Sequence, residues 1–283
     1  MASGTLFVVA TPIGNLEDIT LRALRVLREA AVIAAEDTRR TAHLLARHAI
    51  STKTTSLHEH NETQKAPALI ARLLAGDHVA LVSDAGTPTV SDPGGRLIAA
   101  AIEAGVRVEA IPGASAVLAA LAASGLPTDG FAFMGFPPTR STDRKRWFDR
   151  LVSVGGTVVF FEAPHRIRVT LEELRRLAGD CQVAVARELT KAHEQLVRGP
   201  ISRVLNGLDQ ERGEFTVVAD IGHTPTNRHA VALEPGELVR EFGDLTADGG
   251  FTRRQAIAQL SRRHHVSAKE VYAALEQAKK SGE

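Results

Sequence analysis

At 283 residues the chain is long enough for about two domains of roughly 150 residues each, which excludes a single small core. Its 44% hydrophobic and 24% charged residues are those of a packed globular protein, so a disordered or fibrous chain is excluded as well. With a net charge of +1 and only 4% aromatic residues, contact with nucleic acid would be electrostatic rather than built on base stacking.

One cysteine, Cys181, leaves no internal disulfide and no thiol cluster for structural zinc, which fits a reducing cytoplasm. The first apolar run, Leu6 to Ala10, is too short for a signal-peptide core. The longest weakly polar run, Ala114 to Leu126, falls short of the ~18 residues that a bilayer span needs. A cytoplasmic protein without a membrane partner is expected.

Along the first half, strand-length apolar runs at Leu6 to Ala10, Val32 to Ala35, Val79 to Ser83 and Val106 to Ile111 alternate with segments of helical period. That alternation predicts a parallel α/β domain over residues 1–124. Leu21, Leu24 and Leu27 mark one helix, Leu44 and Leu45 a second, and Leu69, Leu73 and Leu74 a third. Asn61 followed by Gln64 predicts a capping-box start for the third. The turn-rich stretch Ser124 to Gly130 predicts a domain boundary.

A second α/β domain is expected over residues 125–222. Its strand-like runs are Phe131 to Gly135, Thr157 to Phe161, Gln182 to Arg187 and Phe215 to Ile221. Helices are expected near Arg144 to Val152, Arg166 to Leu177 and Ser202 to Leu208. Gly222 to Gly236, polar and proline-bearing, predicts a linker. In the remaining module two helices are expected, Arg253 to His264 and Ala268 to Lys279, with Ser267 as N-cap, in a spacing like that of a helix-turn-helix. From Phe251 onward seven Lys/Arg face three Glu, a basic surplus that suits a polyanionic partner.

Chemistry concentrates in loops after the strands, at the edge where an open sheet binds ligand. They are Thr11-Pro12-Ile13-Gly14-Asn15, Glu36-Asp37-Thr38-Arg39-Arg40, Ser83-Asp84-Ala85-Gly86-Thr87-Pro88 with Val90 to Gly95, and Pro112-Gly113-Ala114-Ser115-Ala116. Glycine permits close backbone approach and proline fixes the turns, while Asp84 offers an acceptor for a ribose hydroxyl or an ammonium group. The N–H groups opening the Ser115 helix suit a carboxylate or phosphate. Together they predict a small-molecule cradle.

The second half adds Phe160 to Arg166 and Arg187 to Glu194, charged loops that either form a buried ion-pair network or face a cleft. Arg140, Arg144, Lys145, Arg146 and Arg150 outnumber Asp143 and Asp149, a plausible phosphate-binding surface. No G-x-G-x-x-G follows a strand, and no Walker A loop, H-E-x-x-H or G-x-S-x-G is present. These absences argue against a dehydrogenase, a P-loop NTPase and the simplest hydrolase. His58, Glu59 and His60, like His193 and Glu194, lack a specified further ligand, so no metal is expected.

The runs Leu6 to Leu16, Glu36 to Arg39, His58 to Glu62, Ser83 to Pro88 with Ser91 to Gly94, Phe161 to Arg166 and Glu188 to Lys191 together resemble the ribosomal RNA small subunit methyltransferase I family, within the tetrapyrrole methylase superfamily. The resemblance runs in order from Leu6 to Ile221. It implies two α/β domains with a ligand cleft between them, plus a small C-terminal helical module over residues 223–283. It implies S-adenosyl-L-methionine as donor, a cytidine ribose 2′-hydroxyl in the decoding region of 16S rRNA in the small ribosomal subunit as acceptor, and a homodimer.

By the same resemblance the donor lies against Pro12, Ile13, Asp84, Gly86, Thr87, Pro88, Ser115, Ala116, Phe161, Glu162 and Ala186. Residue type and loop position nominate Asp37 and His60 as proton acceptors and Lys191 as a cation for the developing alkoxide. Arg39, Asn61, Arg144, Lys145, Arg146, Arg166 and Arg187 are the expected RNA contacts. Two other readings stay open: a tetrapyrrole C-methyltransferase on this fold, and a non-catalytic regulator that senses an adenosyl ligand.

Overall fold

The computed structural model describes residues 3–208, 212–222, 235–247, 251–264 and 271–276. Met1–Gly222 form one compact unit and His223–Glu283 a second. The first unit is built on two sheets of five strands.

In the first sheet β1 (Thr5–Val9), β2 (Val32–Ala35), β3 (Thr54–Ser56), β4 (Val79–Val82) and β5 (Arg107–Ile111) run parallel, in the order β3-β2-β4-β1-β5. Every position of β2 and β4 is buried. Helices cover both faces of such a sheet, which is why these strands are unbroken apolar runs rather than alternating ones. The crossovers are α1 (Leu21–Glu29), α2 (Thr38–Arg47), α3 (Glu62–Leu74) and α4 (Gly95–Glu103).

Thr20 caps α1 by accepting from the Ala23 N–H, and Asp37 caps α2 by accepting from the Arg39 N–H. The capping box expected at Asn61 does not form. Asn61 Oδ1 accepts from the His58 N–H at 2.9 Å, so a local turn takes the side chain that would have capped α3.

From β4 the chain crosses to β5, whereas from its neighbours β1 and β2 it crosses the other way. The loops after these three strands therefore splay apart at a topological switch point, the usual ligand crevice of an open α/β sheet.

After β5, helix α5 (Ala116–Ser124) packs on the second sheet, where Val117, Ala120 and Leu121 meet Val159, Ala184, Ala186 and Val218. The boundary expected after residue 124 thus follows a helix whose buried face belongs to the second sheet. That sheet comprises β6 (Phe131–Phe133), β7 (Thr157–Glu162), β8 (Gln182–Arg187), β9 (Gln195–Pro200) and β10 (Phe215–Asp220), in the order β6-β7-β10-β8-β9. Only the β6–β7 pair is parallel; the other pairs are antiparallel. Helices α6 (Ser141–Val154), α7 (Ile167–Ala178) and α8 (Ile201–Gly207) enclose a core that includes Phe148, Leu151, Phe160, Leu171, Ile201 and Phe215.

Strands β3 and β9 were not among the expected strands. Both are sheet edges with no fully buried position, so neither carries an apolar run to announce it.

In the second unit α9 (Pro235–Ala247) and α10 (Arg253–His264) are joined by a helical stretch at 271–276. Leu238, Leu260, Val271 and Leu275 form its core, and Arg253 pairs with Glu276 at 2.9 Å. Helix α10 coincides with the expected first tail helix, while α9 begins inside the expected linker. Ser267 and the ends of the second tail helix lie outside the described residues. Among the described residues no helix is long and apolar enough to cross a membrane.

Candidate functional site

Two cavities adjoin at the switch point. The larger, about 300 Å³, lies between the sheets. From the first sheet it takes Ile13 after β1, Glu36 and Arg40 after β2, Asp84 to Thr87 and Val90 to Asp92 after β4, and Ser115 to Val117 at the start of α5. From the second sheet it takes Phe136, Phe161 to Pro164, Leu189 and Gly213 to Thr216. A smaller cavity of about 200 Å³ shares Ile13, Arg40, Asp84, Ala85 and Glu214 and continues past Thr11, Pro12, Gly14, Leu16, Thr41, Leu44 and Lys191.

Backbone contacts fix the loops that form these walls. Thr11 N–H donates to Gly86 O at 2.8 Å and Gly86 N–H returns a bond to Thr11 O at 3.1 Å, stapling the β1 loop to the β4 loop. Gly86 sits at φ +83°, where a side chain is strained, and a Cβ there would also come 3.3 Å from Ile13 Cγ2. Across the cleft, Asn15 N–H donates to Thr190 Oγ1 at 3.0 Å. A Cβ on Gly14 would stand 2.5 Å from Lys191 Cγ and 2.9 Å from Leu189 O, so only glycine lets the two loops approach this closely. Thr89, Ser91, Glu188 and Thr190 hold left-handed φ angles between 52° and 72°, placing backbone strain on both sides of the cleft.

The wall of the larger cavity is acidic on its first-sheet side. Asp84 Oδ1 accepts from the Asp37 N–H at 2.9 Å, and Glu36 Oε2 accepts from the Asp84 N–H at 3.2 Å. Burial raises the proton affinity of Glu36, and the nearby Asp84 charge adds to it. Asp92 is pushed up to about 6 by burial and by the Glu36 and Asp84 charges, against a hydrogen bond from Ser83. Carboxyl groups crowded in this way favour a cationic ligand. No group of His, Cys, Asp or Glu among the described residues is arranged to hold a metal ion.

The second-sheet side carries the aromatic surface, with Phe136 and Phe161 at 5.3 Å between ring centroids, alongside the polar Glu214 and Thr216. Behind it lies a network around Glu162, which is buried. Its carboxylate accepts from Arg166 Nη2 at 2.6 Å, Arg166 Nε at 2.8 Å, its own neighbour's Ala163 N–H and the Thr170 hydroxyl.

Of the residues expected around the donor, Ile13, Asp84, Gly86, Thr87, Ser115, Ala116, Phe161 and Glu162 line the larger cavity, and Pro12 lines the smaller. Pro88 lines neither. Ala186 is 1% exposed in the core under α5; its β10 partner Thr216 reaches the cavity instead.

Lys191 borders the smaller cavity, its Nζ donating to Glu188 and Glu214 at 2.9 Å each. Burial opposes its charge, but these two carboxylates outweigh that and raise its pKa. Asp37 and His60 line neither cavity. Asp37 is tied to Arg39 by side-chain and backbone hydrogen bonds, which hold its carboxyl down at about 2.

Among the expected RNA contacts, Lys145, Arg146 and Arg39 are exposed. Arg144 turns inward, with Nε donating to Glu173 at 3.0 Å, Nη2 to Thr170 at 2.8 Å, and the guanidinium over the Phe148 ring. It shares a helix face with Phe148 and Leu151, which faces the core. Arg166 is held by Glu162, Asn61 closes its own turn, and Arg187 Nε donates to Arg212 O at 2.8 Å. Residues not singled out from the sequence include Glu36, Arg40, Asp92, Phe136, Glu214 and Thr216. Glu36, Arg40 and Asp92 lie within the motif loops; Glu214 and Thr216 carry no sequence signal, being at the start of a strand.

Two α/β layers that close an acid-walled cleft at a switch point define a class. Residues 5–205 match the family described as Tetrapyrrole (Corrin/Porphyrin) Methylases. A diphthine synthase structure aligns with TM-score 0.59 at 19% identity, covering 77% of this chain and 90% of that one. A Thermus thermophilus uroporphyrin-III C-methyl transferase complexed with S-adenyl homocysteine aligns with TM-score 0.54 at 20% identity, covering 77% and 98%. Both share the fold.

Closer relatives carry the name ribosomal RNA small subunit methyltransferase I. That of Halalkalibacterium halodurans is 40% identical over 95% of this chain and 93% of its own. That of Synechocystis is 43% identical over 95% and 96%, and that of Micromonospora olivasterospora 48% identical over 84% and 78%. The chain belongs to the ribosomal RNA small subunit methyltransferase I family.

Proposed function

We propose that the protein transfers the methyl group of S-adenosyl-L-methionine to a cytidine ribose 2′-hydroxyl in the decoding region of 16S rRNA of the small ribosomal subunit. The observation that carries this reading is the larger cavity, which brings the aromatic rings of Phe136 and Phe161 together with the carboxyl groups of Glu36, Asp84 and Asp92, in a chain whose relatives are named for this class of reaction. A donor with a flat base, a positive sulfonium and an amino-acid end matches such a wall.

Bound there, adenosylmethionine supplies an electrophilic methyl carbon. Glu36, Asp84 and Asp92 favour its positive end. Phe136, Phe161 and Ile13 give apolar surface for the base. The first-turn N–H groups of α5, at Ala116 and Val117, lack intrahelical partners and suit its carboxylate. Glu162 acts from behind by holding Arg166 and the 161–164 turn. Positioning is the main task. Asp92 is the cavity carboxyl suited to receive the hydroxyl proton: ionised at neutral pH, it has a higher proton affinity than an ordinary aspartate. Lys191 remains the cation suited to the acceptor oxygen.

Lys145 and Arg146 on α6, with the basic C-terminal module, give surfaces for phosphate groups. In the same reading the protein is a cytoplasmic homodimer, and residues 1–124, 125–222 and 223–283 are its functional divisions. The test is calorimetric titration with adenosylhomocysteine, followed by labelled-methyl transfer to unmethylated small subunits, naked 16S rRNA and a sirohaem precursor. Micromolar binding and label on a cytidine 2′-oxygen are expected. Label on the tetrapyrrole, or binding without any transfer, would replace this reading by one of its two rivals.

A further inference from the structure

The smaller cavity opens onto the larger one but has residues of its own. Pro12, Leu16 and Leu44 give it an apolar shelf, and Arg40 and Lys191 supply its cations. Arg40 is 63% exposed and only loosely paired with Asp84, at 3.6 Å. Asp84 and Glu214 line the same cavity and pair with these cations, so beside the apolar shelf stand two ion pairs, a lining that matches a ligand with one flat apolar ring and polar groups at its edge. Its volume of about 200 Å³ suits one nucleoside and not a macrocycle of four pyrroles.

The partition between the compartments is as informative as the lining. Ile13, Arg40, Asp84, Ala85 and Glu214 belong to both cavities, so two ligands seated one in each meet over these side chains. A methyl transfer requires such a meeting, since the acceptor oxygen must come within near-attack distance of the donor carbon.

We infer that the cavity bounded by Pro12, Leu16, Leu44, Arg40 and Lys191 receives a single ribonucleotide extruded from the RNA, with its base on the apolar shelf and its sugar toward the side chains that both cavities share. This rests on the methyltransferase reading above. A nucleotide stacked in a helix cannot bring its sugar into a cavity enclosed by loops of both sheets, so it must leave the stack, as substrates of base-modifying enzymes do. Pro12, Leu16 and Leu44 line the smaller cavity alone, whereas Glu36, Asp92, Ser115, Phe136 and Phe161 line the larger alone. Filling the smaller cavity at its unshared end therefore leaves the donor's own contacts in place.

Leu16→Trp tests this. Leu16 lines only the smaller cavity and is 37% exposed, so a larger side chain is tolerated by the fold while occupying the shelf. Adenosylhomocysteine affinity should stay within about threefold of the parent, because donor contacts are untouched. With unmethylated small subunits, kcat should fall by about a hundredfold while KM changes little, since docking relies on distant phosphate contacts and the loss is one of positioning. Leu21→Trp, the same enlargement at an 86% exposed position that lines neither cavity, should retain kcat within about twofold. Unchanged kcat in Leu16→Trp with normal adenosylhomocysteine binding overturns the inference and leaves the methyltransferase reading standing. Loss of adenosylhomocysteine binding in Leu16→Trp also overturns it, because the shelf would then belong to the donor. If the parent neither binds adenosylhomocysteine nor transfers methyl, the methyltransferase reading itself has failed.

Discussion

The two sheets of the first unit meet the same cleft by different geometry. In the parallel sheet every strand ends at the ligand edge, so the loops after β1, β2 and β4 bring Ile13, Glu36, Arg40, Asp84 and Asp92 to one place. In the largely antiparallel sheet that edge is made of strand ends and strand starts together. Phe215, the first residue of β10, pairs with Glu162 at the end of β7 and with Arg187 at the end of β8. The first sheet supplies the crowded carboxyl groups; the second supplies the aromatic surface, with Glu214 and Thr216 beside it, braced by a buried ion-pair network.

This difference explains what was legible. Chemistry after a buried parallel strand stands out, because a run such as Val-Ala-Leu-Val is followed at once by Ser83-Asp84. The same rule looks only downstream of strands, so it found Phe161 and Glu162 but passed over Gly213, Glu214 and Thr216, which precede or open a strand running the other way. The family resemblance, not this rule, put Ala186 at the wall, whereas the pleat directs it under α5. Arg144 shows the matching limit in helices: a cluster of basic residues does not say which of them lies on the buried face.

If the second sheet is mainly a brace, its largest vulnerability is Glu162. Glu162→Ala would leave Arg166, with one guanidinium nitrogen already lacking a partner, without its carboxylate, and would also deprive Arg144 of a neighbouring charge. Removing one partner of a buried pair costs about 3–5 kcal/mol, and since Arg166 is 18% exposed the lower end applies. Thermal unfolding of the full chain should show Tm lower by roughly 6–12 °C. A drop of less than about 2 °C would show that the network carries no such role.

The first sheet's vulnerability is the opposite: a group that serves binding at the expense of stability. Asp92 titrates at about 6 in the folded protein, above its ordinary value of 3.8. The folded state therefore holds this proton more tightly than the unfolded chain does. The group's contribution to stability is complete below pH ~4 and is lost as pH rises through about 6. Asp92→Asn should raise Tm by about 2–4 °C at pH 7.5 and by nothing at pH 4; the gain is smaller than the full shift implies because the side chain keeps some solvent. Adenosylmethionine affinity should fall by about tenfold at pH 7.5. Stabilisation without weaker binding would detach Asp92 from the donor's charge.

The smallest effect is expected on the outer face of the second sheet. Lys145 and Arg146 are exposed on α6, opposite the side that buries Phe148 and Leu151, and Arg146 lies 3.8 Å from Asp143. Their substitution should therefore leave Tm and adenosylhomocysteine affinity unchanged. If they meet phosphates, each contact releases condensed counterions, so the salt dependence of subunit binding reports them more sharply than affinity at one salt concentration. Lys145→Gln with Arg146→Gln should reduce the slope of log K against log salt by about 0.7–0.9 per contact, with the affinity difference largest at low salt. Arg144→Gln separates brace from binding surface on the same helix. Its partners are Glu173 and Thr170, so it should lower Tm and leave the slope alone. An unchanged slope in the double variant would move the RNA surface away from α6.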